Sequence, residues 1–426
     1  MKKYIITGII AIVLMTSCND MLDIYPHSAI SPDALENRDL PVLENGMYNR
    51  CQNMPRESFI LNDLLGGMVI GHNTGHNAID LINKLTQRDD VVIRDTWNGY
   101  FLTLNQVNNV LNIASKMEVS TEVNKAKGAA HFFRAYIYLS LVTRWGDVPI
   151  IETSNTFHNV PRDPASKVWQ FIESDLDKAI GLLKPLSEVG GYYYASQDAA
   201  LALKARMMLY LGRKNEAAQI AEDFILKEQF RLDDFNKIFR KEGNSEIIFA
   251  FLNLTVESGS SISALFYNYD HPNSGSYFYR PTVLVPLLFD NNDNRKDISW
   301  GTWGGQICFN KYPSGQTGND PVILVRIAEM YLISAEAQGL AGISRLNELR
   351  QKRGLDPVSV PATEEEYLDL ILEERTKELL TENHRYYDLV RTGRAERIGL
   401  QDYQKLLPVP ESQRSLNPLL GQNEGY

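Results

Sequence analysis

The residues of this chain best suited to acid–base chemistry fall in one stretch. Glu374, Arg375, Glu378, Glu382, Arg385, Asp388 and Arg391 recur at three- and four-residue steps. Two of these carboxylates could in principle act as general acid and base. They alternate with guanidinium groups at helical spacing, however, and that pattern predicts a structural ion-pair network rather than catalysis. His72 and His76 are four residues apart, as helical metal ligands would be. They stand in Gly71-His72-Asn73-Thr74-Gly75-His76-Asn77, where the glycines argue against a helix and no Glu follows His72. The segment reads instead as a polar loop, solvated or in contact with a ligand, with His72, Asn73, His76 and Asn77 as candidate contacts. It lacks the lysine and the helix start that a phosphate cradle needs. No Gly-x-Ser-x-Gly motif and no credible Ser-x-x-Lys motif appears. The expectation is a protein that is not an enzyme and holds neither metal nor cofactor.

A second chemistry lies in aromatic residues. Tyr267, Tyr269, Tyr277, Phe278, Tyr279, Trp300 and Trp303 cluster within a stretch rich in Gly, Pro, Asn and Ser. Sugar rings present faces of C–H bonds, and flat aromatic side chains bury those faces while keeping a polar handle. Asn268, Asp270, Arg280, Asn292, Asp293 and Arg295 stand near enough in sequence to hold hydroxyl groups. Packing of the same rings onto a scaffold is the competing role, and the two are expected together. The candidate ligand contacts here are Tyr267, Tyr269, Tyr277, Tyr279, Arg280, Trp300 and Trp303.

The elements that must position these residues are helices. Asp163-Pro164 reads as an N-cap followed by a first-turn proline. Val168, Phe171, Ile172, Leu176, Ala179, Ile180 and Leu183 then define one apolar face. Residues Ala199 to Leu226 read as two antiparallel helices joined at Gly212, and the run 206–213 with Glu216-Ala217-Ala218 resembles a tetratricopeptide repeat. A second pair is expected from Val322 to Arg353, with Leu324, Ile327, Ala328, Tyr331, Leu332 and Ala335 on its first helix. Residues 122–145 and 364–390 supply further long helices. Trp97, Tyr100, Tyr136 and Trp145 lie at helical spacings and are expected in the core. Helix pairs of this kind stack into one scaffold, since none buries its face alone. Between Phe251 and Asp320 the helical period is lost, and so long an irregular span within a fold is often functional.

The first residues carry an address. Lys2 and Lys3 precede an apolar run, Tyr4 to Met15, too short to span a bilayer, and Thr16-Ser17-Cys18 follows. Residues 1–17 are expected to be a signal peptide. Cys18 has the position of a lipobox cysteine, whose acyl chains would anchor the mature protein to a membrane. Residues 18–35 would be a lipidated tether. With 53 acidic against 43 basic residues the formal charge is −10, which argues against nucleic-acid partners. The two cysteines left after Cys18, Cys51 and Cys308, could pair but have no metal-ligand spacing.

Four stretches, in order, resemble the SusD/RagB family of outer-membrane nutrient-uptake lipoproteins from Bacteroidota. They are Phe133-Arg134-Ala135-Tyr136 through Trp145-Gly146-Asp147-Val148-Pro149, then Pro161-Arg162 with Val168, Ile172, Asp175, Leu176 and Ala179. Next come Ile371-Leu372-Glu373-Glu374-Arg375 with Glu382, Arg385, Asp388, Leu389 and Arg391, and finally Leu407-Pro408-Val409-Pro410 through Asn423-Glu424-Gly425-Tyr426. Asn383 stands where the family usually has glycine, and Asn also tolerates a left-handed turn. Glu424 replaces a usual proline, and the chain is shorter than typical members. The resemblance implies a mainly α-helical, tetratricopeptide-type scaffold, SusD-like, with a loop-rich ligand-facing lobe. Residues 36–426 would form one domain, with 36–250 and 321–426 as scaffold and 251–320 facing the ligand. It further implies a surface protein of the outer membrane that binds oligosaccharides and delivers them to a TonB-dependent, SusC-like β-barrel transporter. A peptide-binding member of the family, or a repeat scaffold that binds no soluble ligand, are the alternatives.

Overall fold

The computed structural model describes residues 36–72, 89–153, 159–240, 242–254, 262–315 and 320–426. The expected leader, Cys18 and the tether lie outside them, as do Asn73, His76 and Asn77. Among the described residues, the ten longest helices make the scaffold: α1 Leu40–Gln52, α2 Val91–Ala114, α3 Thr121–Trp145, α4 Ala165–Leu182, α5 Gln197–Tyr210, α6 Lys214–Ile225, α7 Ile327–Ala337, α8 Ile343–Lys352, α9 Glu364–Glu378 and α10 Arg385–Arg391. Each packs on the next from α2 to α6, α6 packs on α7, and α7 on α8 and α9. This is the stacking that one-faced helices require.

Helix α3 is the spine. Every residue from Gly128 to Trp145 is buried, so the helix is enclosed on all sides. Its polar side chains therefore need internal partners. Arg134 meets Asp175 of α4 with two hydrogen bonds, Nε to Oδ2 at 2.7 Å and Nη2 to Oδ1 at 2.9 Å, and reaches Asn108 of α2 at 3.1 Å. His131 Nδ1 lies 2.8 Å from Asp175 Oδ1. Burial opposes the charge on Asp175, but hydrogen bonds from Arg134 and His131 outweigh it and hold the carboxyl below its ordinary range. A side chain at Gly128 would meet Leu183 at 2.7 Å, so glycine lets α3 approach the end of α4. Trp97, Tyr100, Tyr136 and Trp145 are core residues, none more than 6% exposed. On α4, Val168, Ile172, Leu176 and Ala179 form the buried stripe, and each large aliphatic contributes about 1.5–3 kcal/mol through burial.

Three expectations about elements need correction. Helix α4 begins at Ala165, one residue later, because Asp163 is occupied in an antiparallel bridge with Val148. The capping acceptor comes from elsewhere: the Ala165 N–H donates to Asp147 Oδ1 at 2.8 Å. Val322–Arg326 is a strand rather than the start of a helix; as β6 it pairs antiparallel with β2, Ile247–Phe251. Both strands are buried throughout, and a short continuous apolar run does not reveal its own period. The expected helix over 364–390 breaks between α9 and α10, where Thr381 and Asn383 take left-handed φ values of 62° and 70°.

Asn383 shows why asparagine works where glycine is usual. Its side chain accepts from the Asn62 N–H at 2.9 Å and from Arg144 Nη2 at 3.1 Å, and donates to the Ser58 carbonyl at 3.0 Å. Asp63 accepts the Thr381 and Asn383 N–H groups at 3.1 and 2.7 Å.

Six of the seven residues of the carboxylate–guanidinium series enter buried ion pairs, as the alternation predicts, while Arg385 instead donates to the Gly66 carbonyl and the Thr376 hydroxyl. Glu378 stands at the centre of the network, receiving Arg295 at 2.9 Å, Arg326 at 2.5 Å and Arg353 at 2.8 Å. Glu246 joins Arg326 and Arg353, while Glu382 takes Arg326 and Lys311. On the other side of α9, Arg375 and Arg391 share Asp388. Burial alone would raise the Glu378 pKa, but three guanidiniums hold it well below the carboxylate range. The same three arginines come from the region 251–320, from β6 and from the residue that caps the end of α8, so the network fastens that region to the scaffold.

Candidate functional site: a ring cluster on two short sheets

Two loops that the sequence treats separately are one unit in the fold. Strand β1, Val69–Gly71, pairs antiparallel with β3, Tyr279–Pro281, placing Gly71 opposite Tyr279 and Ile70 opposite Arg280. Beyond the ladder, the His72 N–H donates to the Phe278 carbonyl at 2.8 Å. The imidazole of His72 then lies 4.5 Å from the Tyr277 ring. Tyr277 has a φ of 48°, rare for a bulky residue. Its hydroxyl donates to the Ile307 carbonyl at 2.7 Å, which fixes the ring in that turn.

The second sheet is a hairpin of β4, Trp300–Trp303, and β5, Gln306–Phe309, with Trp303 opposite Gln306. Its two-residue turn, Gly304-Gly305, has φ values of 57° and 74°. Two positive φ values in a two-residue loop match the twist of the flanking strands and favour glycine. The Trp303 ring folds back along its own strand; a Cβ on Gly301 would meet it at 2.6 Å.

Against Trp303 stands a stack that the sequence did not single out. His271 lies parallel to Tyr267, with ring centroids 3.6 Å apart, and meets Trp303 edge-on at 4.4 Å. Asn268 holds the arrangement, donating to the Trp303 carbonyl at 2.7 Å and accepting from the His271 N–H at 3.1 Å. His271 Nδ1 accepts from the Asn273 N–H at 3.0 Å, which leaves the proton of the neutral ring on Nε2. Burial and the charge of Arg240 lower the His271 pKa, so the ring is neutral near pH 7. The only sequence signal for His271 was its position among the aromatics.

Of the proposed ligand contacts, the cluster brings together His72, Tyr267, Tyr277 and Trp303. Tyr267, Tyr277 and Tyr279 are nevertheless at most 4% exposed, and here the sequence reading needs correction: these rings build the platform rather than offer its surface. Tyr267 donates to Asn310 Oδ1 at 2.9 Å. Tyr279 donates to Glu57 at 3.3 Å, and burial, then Glu57, push its phenol pKa up. The cluster's accessible groups are His72 and the partly exposed Trp303, and Tyr269, between Tyr267 and His271 in the chain, is 76% exposed. The Asp270 carboxylate packs against Gly304 at the rim. Trp300 sits beside the cluster, half-buried against the main core, with its indole Nε1 buried and unpartnered. Arg280 is partly exposed, and its Nε is likewise buried without a partner. Asp293 and Arg295, read as possible hydroxyl-binding groups, belong to the buried ion-pair network, and Asn292 donates to the Gly354 carbonyl.

The cluster contains an apolar ring surface and neutral hydrogen-bonding groups. Cys308 packs inside it against Tyr267, Tyr277 and Trp303; burial raises its thiol pKa, which keeps it a poor nucleophile. Cys51 and Cys308 are both buried and free, so they are not paired. Among the described residues no group of three or more His, Cys, Asp or Glu side chains could hold a metal ion. No described helix is long and apolar enough to cross a membrane.

A helical-repeat scaffold carrying a small, ring-lined lobe is the architecture of a binding protein, and comparison with known proteins gives its lineage. Residues 21–209 match a family model described as starch-binding and associating with the outer membrane, and residues 288–405 match the SusD family model. A SusD-like protein of Formosa agariphila is 25% identical, the alignment covering 100% of this chain and 99% of that one. Among solved structures, a laminarin-binding SusD-like protein superposes with a TM-score of 0.78 at 22% identity, over 92% of this chain and 100% of the other. Surface glycan-binding protein A from Bacteroides thetaiotaomicron, in complex with laminarihexaose, gives 0.78 at 17% identity, over 91% and 100%. The chain belongs to the SusD/RagB family. Proteins of this family are associated with the outer membrane in Bacteroidota.

Proposed function

We propose that this protein is a surface lipoprotein, anchored through Cys18, that binds oligosaccharides and passes them to a SusC-like, TonB-dependent β-barrel for import. It binds its cargo rather than transforming it. The observation that carries the reading is the ring cluster: Trp303, His271 and Tyr267 are interlocked at 3.6–5.9 Å, and Tyr277 packs with Tyr267 and Trp303 around Cys308. Exposed His72 lies 4.5 Å from Tyr277, and Tyr269, two residues from both Tyr267 and His271 in the chain, is 76% exposed. Such a surface buries the C–H face of a sugar at little entropic cost, because the rings are already held in place. The glycan complexes of relatives that share the fold support it.

The test is isothermal titration of the protein with laminarihexaose and with soluble glycans, comparing wild type, Tyr269→Ala and Trp303→Ala. Tyr269 contributes little to the core, so its loss leaves the fold intact. Each variant should bind the retained glycan roughly ten-fold more weakly, from about 1.4 kcal/mol of lost stacking. Undiminished binding in both variants would remove the cluster as the site. Binding of peptides in place of any glycan would identify the cargo as peptide. Detergent extraction of the lipoprotein from its native membrane should co-purify a large β-barrel; recovery without one would sink the transporter partnership.

A further inference from the structure

A cavity of about 580 Å³ opens between the first turn of α3, the end of α4 and the loop that leads into α5. It shares no lining residue with the ring cluster. The loop reads Val189-Gly190-Gly191-Tyr192-Tyr193-Tyr194, and its last ring borders the cavity with 39% of the residue exposed. Tyr194 is braced from several sides: Tyr193 at 5.0 Å, Tyr48 edge-on at 6.2 Å, and the Lys125 ammonium 5.5 Å from its centroid. The glycines are there for the rings. Gly190 and Gly191 have φ values of 53° and 153°, and a Cβ on Gly191 would meet the Tyr193 ring at 2.9 Å.

The loop is also fixed in its backbone. The Ala195 N–H donates to the Tyr48 hydroxyl at 2.8 Å, the Ala250 N–H to the Tyr192 carbonyl at 3.1 Å, and the Leu186 N–H to Asp198 at 2.7 Å. An exposed aromatic ring held this firmly is preorganised for a flat partner. The rim adds Asn124, Lys184 and Glu188. Charge is balanced: Lys125 is paired with Glu44 at 3.1 Å, and Lys184 faces the same cavity as Glu188. Donors and acceptors of both signs stand beside the ring, with Leu182, Leu183 and Val189 on the same wall, a mixture that suits a neutral ligand with both hydroxyl groups and C–H faces better than an anion.

We propose that Tyr194, with Lys184, Asn124 and Glu188, forms a second saccharide subsite on the helical scaffold, distinct from the ring cluster and engaged by polymeric glycan. The inference rests on the glycan-binding reading above. A polysaccharide long enough to touch both sites gains avidity, whereas a hexasaccharide is held by the ring cluster alone.

The test is affinity electrophoresis in gels containing laminarin, mannan, xylan or starch, with the hexasaccharide of the retarding polymer titrated calorimetrically. Tyr194→Ala should weaken retardation on the order of ten-fold, while Tyr194→Phe, which keeps the ring, retains it. Lys184→Ala, at an exposed position, should weaken retardation without any risk to the fold. Hexasaccharide binding should be unchanged in all three variants. Retardation equal to wild type in both Tyr194→Ala and Lys184→Ala, with Trp303→Ala defective, would overturn this subsite and leave the ring cluster standing. Failure of all four polymers to retard the wild type would overturn both.

Discussion

Replacing Asn383 by glycine, the residue that ordinarily suits a left-handed turn, should destabilise this protein. The backbone gains: a non-glycine residue held at φ 70° carries a left-handed penalty of roughly 1 kcal/mol that glycine escapes. The side chain loses more. It satisfies the Asn62 N–H, one Arg144 N–H and the Ser58 carbonyl, all in surroundings where Asn62 and Arg144 are at most 5% exposed. Each buried polar group left unpaired costs about 1–3 kcal/mol. Ser58 keeps a second, longer partner in the Tyr100 hydroxyl at 3.3 Å, so two orphaned donors dominate. The sum is about 2–6 kcal/mol lost against roughly 1 gained, a net of about 1–5 kcal/mol, toward the lower end where water reaches the orphaned donors. Asn383→Ala loses the same bonds and keeps the backbone penalty, so it should be the least stable of the three. Thermal unfolding followed by intrinsic fluorescence should rank wild type above Asn383→Gly above Asn383→Ala, the first step a few degrees and the second about one degree. A glycine variant as stable as wild type would refute the claim that the side chain, and not merely the tolerated backbone angle, holds this turn.

Two further predictions concern charge. Glu378→Gln should cost at least about 3 kcal/mol, since Arg295, Arg326 and Arg353 would share a buried site that had lost its central anion; calorimetry showing an unchanged Tm would mean that Glu246, Glu374 and Glu382 suffice. His384 is buried, and its pKa is held well below the ordinary value by burial and then by Arg206 and Arg375. A histidine with a depressed folded pKa costs stability as pH falls below about 6.5, because the unfolded chain takes up the proton first. The stability gap between His384→Leu and wild type should therefore shift toward the variant, by up to about 1.4 kcal/mol per pH unit between pH 6.5 and 5; a gap independent of pH would show that the buried ring accepts a proton normally.

What the sequence revealed depended on the range of the interaction. Helices α4, α5 and α6 were legible because Val168, Ile172 and Leu176, or Ala217, Ala221 and Phe224, repeat at a local period. The break after α9 was half-legible: Asn383 marked a left-handed turn, but Thr381 carries no such signal. Val322–Arg326 misled because strand and helix are equally compatible with five mainly apolar residues. The alternating charges of α9 announced an ion-pair network, yet its partners Arg295, Arg326 and Arg353 are assembled only by the tertiary fold. The aromatic lobe was visible in composition. Which rings would be buried was not, because that is decided by pairing Gly71 with Tyr279 across some two hundred residues. For the same reason His72 and Tyr277, read as members of separate loops, meet as neighbours.

The last residues of the chain clasp its middle. The Trp145 indole donates to the Pro408 carbonyl, the Leu407 N–H to the Arg144 carbonyl, and Asn423 reaches both the Trp145 and Leu407 carbonyls while accepting from Arg162. These bonds close loops of 263 and 278 residues, and contacts of such range form late because their closure entropy is met before they give anything back. The end of the central helix therefore stays without its final partners until the C-terminus has arrived. Its state thus reports whether residues 407–423 have docked: without them the Trp145 indole and the Arg144 and Trp145 carbonyls lose these partners, and a local probe at Trp145 would register the closure of these two long loops.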